Sequence, residues 1–379
     1  MTGKKVVLVT GVAGYWGGRL ATQLVTQSDL HVIGLDSERP KQEIKDLDFI
    51  QADIRNPLLV ELLKGEAVHT VCHLAFNKSA VLSEAAFELN VLGTMKVFGA
   101  CAEAGVKKIV LRGTTAVYGA LPNNSAFLKE EHPLNGSRSN GYIRDMIEVE
   151  AFCNGFRRQS PEVMLTLLRF SSIVGPNADT PMTRFLKEQW TPVLLGFDPL
   201  FQVIHENDVV DALVFAVVND TPGVFNVAAE GILPLRKLMS LAGKMSLPVF
   251  HLFAYWGTGL MGSIGKRVIN YTPIELDYIR YPWVGDLRRM REEMGFTPHY
   301  TAEEAVREFA GYQRMAGYMP EAASLAYDEE RLRDTLERRR RSHLHKPAAP
   351  PEEGDDRKVS QADIDTEAAA QTESEGVIS

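Results

Sequence analysis

A glycine-rich segment near the start of the chain constrains the fold more than any other feature. Residues 6–17 read VVLVTGVAGYWG, an apolar run followed by Gly11, Gly14 and Gly17. This order predicts a strand, a tight turn at Gly11 and a helix that packs closely on the strand through Gly17. Gly14 lets the backbone approach a pyrophosphate, and the N–H groups at the start of the helix face the anion.

An acidic residue follows at the spacing that dinucleotide-binding folds use. Asp36 ends the next predicted strand, residues 31–35, about 20 residues beyond the glycines. A carboxylate here binds the 2′-hydroxyl of the adenosine ribose and repels a 2′-phosphate. The two signals together predict NAD rather than NADP as the cofactor, although Arg39 nearby would suit a 2′-phosphate.

Short apolar runs alternate with helical patterns through the first half of the chain. Strands are predicted at residues 5–9, 31–35, 47–51, 70–74, 108–111 and 164–168, and helices at 16–27, from 57, at 84–104 and at 142–158. The alternation indicates the α/β class, with a Rossmann-type doubly wound parallel sheet and a smaller C-terminal substrate lobe.

The domain boundaries follow from where this alternation stops. We expect an NAD-binding core over residues 1–176, with 202–228 returning to it, and a mainly substrate-binding lobe over 177–320. Leucines at helical spacing predict a C-terminal helix over 321–346. Residues 347–379 carry nine acidic and two basic side chains and no aromatic one, a composition typical of a disordered tail.

Charge, cysteines and hydropathy exclude several classes of protein. The net charge is −8, and because most of it lies in the tail, residues 1–346 carry about −1 and show no basic field for nucleic acid. Three isolated cysteines without a CxxC pattern predict no metal site and suit a reducing compartment. We therefore expect a cytoplasmic protein, without a secretory signal and with no apolar run near the ~20 residues of a transmembrane helix.

Further motifs resemble those of the extended short-chain dehydrogenase/reductase family. They are TGxxGxxG at the glycine turn, DIR at 53–55, HLA at 73–75, NVLGT at 90–94, TTAVYG at 114–119 and HENDVV at 205–210. The similarity spans about residues 4–315. Within that family the chain is most similar to the NAD-dependent epimerases and dehydratases, in particular to a bacterial UDP-glucose 4-epimerase-like subgroup.

The resemblance assigns site residues to this sequence. It implies a cofactor site formed by Gly11, Gly14, Tyr15, Trp16, Gly17, Asp36, Asp53, Ile54, Leu74, Ala75, Phe76, Asn90 and Tyr142. Asp53 and Ile54 would contact the adenine. Thr114 would hold a substrate hydroxyl, and Tyr142 would act as the catalytic acid/base.

One position departs from the family pattern. The family has YxxxK, in which the lysine lies one helical turn after the tyrosine, lowers the pKa of the phenol and bonds the nicotinamide ribose. Here the segment is Tyr142-Ile143-Arg144-Asp145-Met146, and a thioether carries no charge. Without a substitute for that ammonium, we expect Tyr142 to stay a protonated phenol at neutral pH.

Three functions remain open at this point. The first is an NAD-dependent nucleotide-sugar epimerase or dehydratase acting by transient oxidation of a sugar hydroxyl. The second is an oxidoreductase of a hydrophobic alcohol, similar to 3β-hydroxysteroid dehydrogenases, with the apolar segment 252–260 as a lid. The third is an NAD-binding sensor without turnover, which Met146 favours. The resemblance also implies a homodimer formed through helices 84–104 and 142–158.

Overall fold

The computed structural model describes residues 4–188, 190–249 and 274–316, together with residues 332, 333 and 336. The expected helix over 321–346, the tail over 347–379 and the apolar segment 252–260 therefore lie largely or wholly outside the described residues. No helix within these ranges is both long enough and apolar enough to cross a bilayer.

The first six strands follow the predicted runs, and seven more come after them in the described part of the chain. They are β1 (Lys5–Thr10), β2 (Leu30–Asp36), β3 (Asp48–Gln51), β4 (Thr70–His73), β5 (Lys108–Thr114), β6 (Met164–Phe170), β7 (Ser172–Val174), β8 (Trp190–Leu194), β9 (Leu200–Phe201), β10 (Val203–His205), β11 (Gly223–Val227), β12 (Leu233–Pro234) and β13 (Met245–Val249). Seven of them form one parallel sheet in the order β11-β6-β5-β4-β1-β2-β3. The order reverses between β1 and β4, and a doubly wound sheet binds its ligand at such a switch point.

The helices cover both faces of this sheet. They are α1 (Tyr15–Leu24), α2 (Leu59–Gly65), α3 (Glu84–Phe87), α4 (Gly93–Ala104), α5 (Gly141–Gln159), α6 (Pro181–Lys187), α7 (Glu206–Val218), α8 (Leu235–Leu241) and α9 (Ala302–Ala316). On one face, α1 and α7 bury residues such as Leu20 and Leu213; on the other, α4 and α5 bury Phe98 and Phe156. The α/β doubly wound class is thereby confirmed.

The long helix predicted at 84–104 is not regular. A turn of π-helix, Glu88–Leu92, separates α3 from α4. One turn of π-helix inserts an extra residue and redirects the side chains around it, and such turns are frequent at functional sites. The π turn carries Asn90, whose side chain is buried and reaches the loop after β4.

Beyond β6 the chain builds small two-stranded sheets. β7 pairs with β10, β8 with β13 and β9 with β12. Between these pieces, α7 returns to the main sheet and leads into its edge strand β11, which pairs with β6. Each of the three cysteines, Cys72, Cys101 and Cys153, is buried as a free thiol, and burial raises the pKa of each, so they are inert packing residues.

Candidate functional site

The glycine turn has the geometry that its sequence predicts. Gly11 has φ +75°, and a Cβ there would lie 2.7 Å from the backbone of Leu74 and Ala75. A Cβ on Gly17 would overlap the carbonyl oxygen of Gly11. Gly14 begins α1 without a side-chain cap, so the first N–H groups of this helix are available to a ligand.

Asp36 lies directly beside this turn. Its Oδ2 accepts a hydrogen bond from the backbone N of Ala13 at 2.9 Å, and its Oδ1 accepts one from Glu38 N at 3.2 Å. The bond to Ala13 fixes the carboxylate against the glycine turn, where a ribose would lie. The Nε of Arg39 is 3.5 Å from Gln51 Oε1, at the limit of a hydrogen bond.

A cavity of about 280 Å³ occupies the switch point between β1 and β4. Its lining residues come from the turns that follow β1, β2, β3 and β4, and from the π turn: Gly11, Gly14, Trp16, Gly17, Asp36, Ser37, Ala52, Asp53, Ile54, Leu74, Ala75, Phe76, Asn77, Lys78 and Leu89. Most of the predicted cofactor residues therefore line one cleft.

Asp53 enters the cleft already paired. Arg55 donates to both of its carboxylate oxygens, with Nε to Oδ1 at 2.9 Å and Nη2 to Oδ2 at 2.6 Å, and these bonds lower the pKa of Asp53. Arg55 N also donates to Oδ1. Asp53 is thus held charged and in one orientation. Its neighbour Ile54 is buried against Gly93 at the start of α4.

Hydrogen bonds from the side chain of Asn90 hold the loop after β4 in place. Asn90 Oδ1 accepts from Asn77 N at 2.8 Å, and its Nδ2 donates to Asn77 O and to Asp145 Oδ2, both at 2.9 Å. Asn90 does not line the cavity, so it acts on the cleft through Asn77. His73, at the end of β4, is fully buried between Thr10 and Thr94, and burial lowers its pKa to about 3, so its ring is neutral.

The two predicted catalytic residues lie outside the cavity lining. Thr114 ends β5, and its Oγ1 accepts from Ala116 N at 3.2 Å. Tyr142 lies in the first turn of α5, and its hydroxyl is buried without a hydrogen-bond partner among the described residues. Gly141 N donates to Ala80 O at 2.7 Å, which brings the loop after Lys78 against the start of α5.

The position at which the family has its lysine lies in the apolar core of this structure. Met146 is 1% exposed and packs in the core between the sheet and α5. Arg144, the nearest cation on this helix, donates to Asp145 Oδ1 at 2.7 Å and lies over the Phe87 ring at 5.2 Å. Within α5, all of which is described, the only lysine or arginine side chains besides Arg144 are Arg157 and Arg158 in its last turn.

Tyr15, predicted to bind the cofactor, faces away from the cavity. Its hydroxyl donates to Glu206 Oε2 at 2.8 Å and accepts from Arg19 Nη1 at 3.1 Å. Desolvation and the Glu206 carboxylate raise the pKa of Tyr15 to about 12. The side chain therefore ties α1 to α7, and only its backbone remains for a ligand at the helix start.

Sequence reasoning missed Lys78, the cation that lines this cavity. Lys78 follows β4 by five residues, at the carboxyl edge of a strand that borders the switch point. Its Nζ is 5.8 Å from the centroid of the Trp16 ring. A basic residue just beyond a switch-point strand was the available signal, because ligands bind at that edge.

Comparison with known sequences identifies relatives across most of the chain. A protein of Mycobacterium tuberculosis, described as uncharacterized, is 33% identical over 328 residues, which cover 83% of this chain and 85% of the relative. UDP-glucose 4-epimerase 2 of Oryza sativa subsp. japonica is 29% identical over 191 residues, 46% of each protein.

Solved structures share the fold. MoeE5 in complex with UDP-glucuronic acid and NAD matches with a TM-score of 0.63 and 23% identity, covering 82% of this chain and 99% of that one. UDP-glucose 4-epimerase with UDP-glucose from Thermotoga maritima matches with a TM-score of 0.63 and 20% identity, at the same coverage. The profile of the NAD dependent epimerase/dehydratase family matches residues 7–228, more than half of the chain. The chain belongs to the NAD dependent epimerase/dehydratase family.

Proposed function

We propose that this protein is an NAD-dependent enzyme that epimerises or dehydrates a nucleotide sugar by transiently oxidising a sugar hydroxyl. The observation that carries the proposal is the cleft at the β1/β4 switch point, in which the glycine turn and Asp36 meet. Family membership supports it, as do structural neighbours that were solved with NAD and UDP-sugars.

The residues of the cleft suit NAD. The space around Gly11 and Gly17 is too narrow for any Cβ, which keeps the backbone of the turn open to a diphosphate. Asp36 has the position and charge to accept from a ribose 2′-hydroxyl and to repel a 2′-phosphate. Ile54 and Asp53 line the cavity and would border the adenine. When bound, NAD would accept a hydride from the carbon that bears the sugar hydroxyl, while the hydroxyl gives up its proton.

Thr114 and Tyr142 hold and move the proton in this proposal. Thr114, at the carboxyl end of β5, offers a hydroxyl to the sugar. The hydroxyl of Tyr142 lacks a partner among the described residues, and a substrate hydroxyl would satisfy that buried group. Because Met146 supplies no positive charge, proton transfer by Tyr142 should be slow compared with a YxxxK enzyme.

The environment of Met146 supports a second candidate function. A buried thioether in place of the ammonium favours a protein that binds NAD without turning it over.

The third function, oxidation of a hydrophobic alcohol, depends on the segment 252–260, which lies outside the described residues. One relative, short-chain dehydrogenase/reductase family 42E member 1 of Xenopus laevis, is 24% identical over 226 residues.

We further propose that the protein is a cytoplasmic homodimer. Leu92 and Met95, at the junction of the π turn and α4, are 43% and 37% exposed, and pairing α3, α4 and α5 with a second copy would cover them. The three free, buried thiols suit a reducing compartment. Light scattering of wild type and of Leu92→Glu tests the dimer: a wild-type monomer refutes it. Cell fractionation tests the location.

Titration calorimetry followed by a turnover assay tests the enzymatic proposal. Purified protein is titrated with NAD and NADP, alone and with UDP-glucose or UDP-galactose, and then assayed for interconversion of the two sugars. We expect NAD to bind more tightly than NADP, and the UDP-sugar and NAD to strengthen each other's binding. Tyr142→Phe should lose turnover and keep most of its NAD affinity, because the glycine turn and Asp36 remain. NAD binding without linkage to a UDP-sugar and without turnover would favour the second candidate.

A further inference from the structure

A second cavity, of about 590 Å³, lies between α7 and the start of α9. Its walls come from the first two turns of α7, from residues 299–300 and from the first two turns of α9. Its lining shares no residue with that of the cleft at the β1/β4 switch point. The proposed function therefore leaves this cavity without a role.

Two carboxylates and one imidazole meet at one side of this cavity. Asp208 and Asp211 lie three residues apart in α7 and so share a helix face. His299 Nδ1 is 3.4 Å from Asp208 Oδ1 and 3.5 Å from Asp211 Oδ2, and one ligand atom of each residue lies within 4.8 Å of the other two. Ligand atoms bound at about 2.0–2.2 Å to a tetrahedral Zn²⁺ ion lie about 3.3–3.6 Å apart. Both separations from His299 match this geometry.

The backbone holds Asp208 in a fixed orientation. Its side chain is fully buried, its Oδ1 accepts from His299 N at 2.7 Å, and its Oδ2 accepts from Tyr300 N at 3.2 Å. Among the described residues, its one ion-pair partner is the exposed imidazole of His299. A buried carboxylate without a full counter-charge is costly, and a divalent cation between Asp208 and His299 would supply that charge.

A buried imidazole beside the same cavity lacks a hydrogen-bond partner. His205 is fully buried, and its ring stacks on that of Tyr300 with the centroids 3.9 Å apart. Its Nδ1 accepts from Asn207 N at 3.2 Å, so the neutral ring carries its proton on Nε2. That Nε2 has no hydrogen-bond partner among the described residues, and the Glu308 carboxylate is 3.6 Å away.

The unpaired N–H of His205 is independent evidence for a polar occupant of the cavity. Tyr300 and Glu308, the two side chains that face the His205 ring, both line the cavity. Buried N–H groups nearly always have an acceptor in the protein or in ordered water. A hydrated metal ion brings such water oxygens into the cavity.

The charge around the cavity favours a cation. Four carboxylates border it, those of Asp208, Asp211, Glu304 and Glu308. Arg307 also lines it, but its Nη2 donates to Glu303 Oε2 at 2.8 Å, and Glu303 is not a lining residue. The surplus of negative charge repels the phosphates of a nucleotide and attracts a cation.

We propose that Asp208, Asp211 and His299 form a site for a divalent transition-metal ion, of which Zn²⁺ is the type, that links α7 to the segment leading into α9. An imidazole nitrogen suits such ions better than Mg²⁺ or Ca²⁺, which prefer oxygen ligands alone. Three protein ligands leave a fourth position open to the cavity for water. This site goes beyond the proposed function and does not depend on it.

The sequence gave no local signal for this site. The cysteine pattern predicts no metal site, and the ligands proposed here are instead an imidazole and two carboxylates. His299 and Asp208 are 91 residues apart along the chain, so only the fold brings them together.

Titration calorimetry of the full-length, tag-free protein tests the site. After treatment with EDTA and dialysis, wild type, His299→Ala and Asp211→Asn are titrated with ZnCl₂ and with MgCl₂. We expect wild type to bind one Zn²⁺ more tightly than Mg²⁺. His299→Ala should weaken Zn²⁺ binding more than about 100-fold, because losing even an outer-shell partner of a ligand costs about 10- to 100-fold. His31→Ala, at another histidine beside an aspartate, is the matched control and should bind Zn²⁺ as wild type does.

Two further readouts separate a metal site from a structural ion pair. Zn²⁺ should raise the thermal unfolding temperature of wild type and of His31→Ala but not of His299→Ala. Co²⁺ should give the visible absorption of a tetrahedral site in wild type, and His299→Ala should lose it. Since His299 is largely exposed, its removal should leave the fold intact, and Asp211→Asn repeats the test at a second ligand.

Several outcomes would overturn the proposal. They are no Zn²⁺ binding by wild type, equal Zn²⁺ affinity of wild type and His299→Ala, which would mean adventitious binding only, and a preference for Mg²⁺ over Zn²⁺. Failure of the proposed function is a separate result, because a protein without turnover of a UDP-sugar would still bind Zn²⁺ through His299.

Discussion

At Met146 this chain lacks the lysine that the family uses in catalysis, although it keeps the residues of the cofactor cleft. The Met146 side chain is 1% exposed, so a lysine there would place an ammonium in the core unless a bound ligand pairs with it. We expect Met146→Lys to lower the free energy of unfolding of the ligand-free protein by about 3–5 kcal/mol, as an uncompensated buried charge does. NAD should restore part of this stability, and the turnover of a UDP-sugar should rise.

Thermal unfolding with and without NAD, together with the turnover assay, measures both effects. Met146→Leu is the control, because it keeps the apolar volume and should change stability by less than about 1.5 kcal/mol. A lysine variant that folds and binds NAD with no gain in rate would show that Tyr142 does not act by the family's mechanism in this chain.

Lys78 predicts a pH dependence of ligand binding. In the ligand-free protein desolvation and Arg112 lower the pKa of Lys78 to about 7, and a bound diphosphate raises it again by supplying a counter-charge. The complex therefore takes up a proton above pH 7. Affinity for ADP-ribose should be level below about pH 6 and should fall by up to tenfold per pH unit above pH 7, until the pKa in the complex is reached.

Calorimetry from pH 6 to 9 measures this profile. In Lys78→Met the affinity for ADP-ribose should be lower than that of wild type at pH 6, and it should not fall as the pH rises through neutral. A wild-type profile that is flat across this range would mean that Lys78 stays charged, or lies too far from the diphosphate to contribute.

At the scale of a structural element, the glycine turn leaves no room for a side chain at Gly17. A Cβ on Gly17 has no room beside Gly11, because the overlap is with backbone that cannot rotate away. We expect Gly17→Ala to push α1 from β1, to lower stability by about 1–3 kcal/mol and to abolish NAD binding. Gly99→Ala in α4 is the matched control: a Cβ there meets nothing within 4 Å, and stability should rise by about 0.5–1 kcal/mol.

Chemical denaturation and NAD titration of both variants check this prediction. A Gly17→Ala protein with wild-type NAD affinity would contradict the turn as the diphosphate site. A destabilised Gly99→Ala would instead indicate that α4 has a partner on this side, such as a second copy of the chain.

The sequence predicted those elements whose characteristic residues lie close together along the chain. It did not predict contacts between segments that are far apart along the chain. The glycine turn, Asp36 and the alternation of strands and helices all follow from spacing within about 30 residues. The juxtaposition of Lys78 and Arg112 depends on β4 and β5 lying side by side with Trp16 above them, which no local pattern encodes. The π turn was missed because its residues have ordinary helical composition.

On the scale of the whole molecule, the ligand cleft is built from a small part of the chain. All residues that line it lie between Gly11 and Leu89, whereas β11, which completes the sheet, comes from residues 223–227. The later segments complete the core at the opposite edge of the sheet: Lys108, at the start of β5, is buried and donates to the carbonyls of Val217 and Asn219 at the end of α7. A ligand of the cleft thus reports on folding of the whole core, since it binds the folded state alone.

The acidic C-terminus should be separable from binding. Because the cleft lies within residues 11–89 and the family match ends at 228, a chain ending at residue 346 should bind NAD with unchanged affinity. Its formal charge falls from −8 to about −1, so its solubility at low salt near neutral pH should drop, as proteins with little net charge associate more readily. A full-length variant with the nine acids of the tail replaced by Asn and Gln separates charge from chain. If only the charge of the tail matters for solubility, this variant precipitates as the truncated chain does. A change in NAD affinity of more than tenfold in either protein would contradict the prediction, because it would show that the tail affects the cleft.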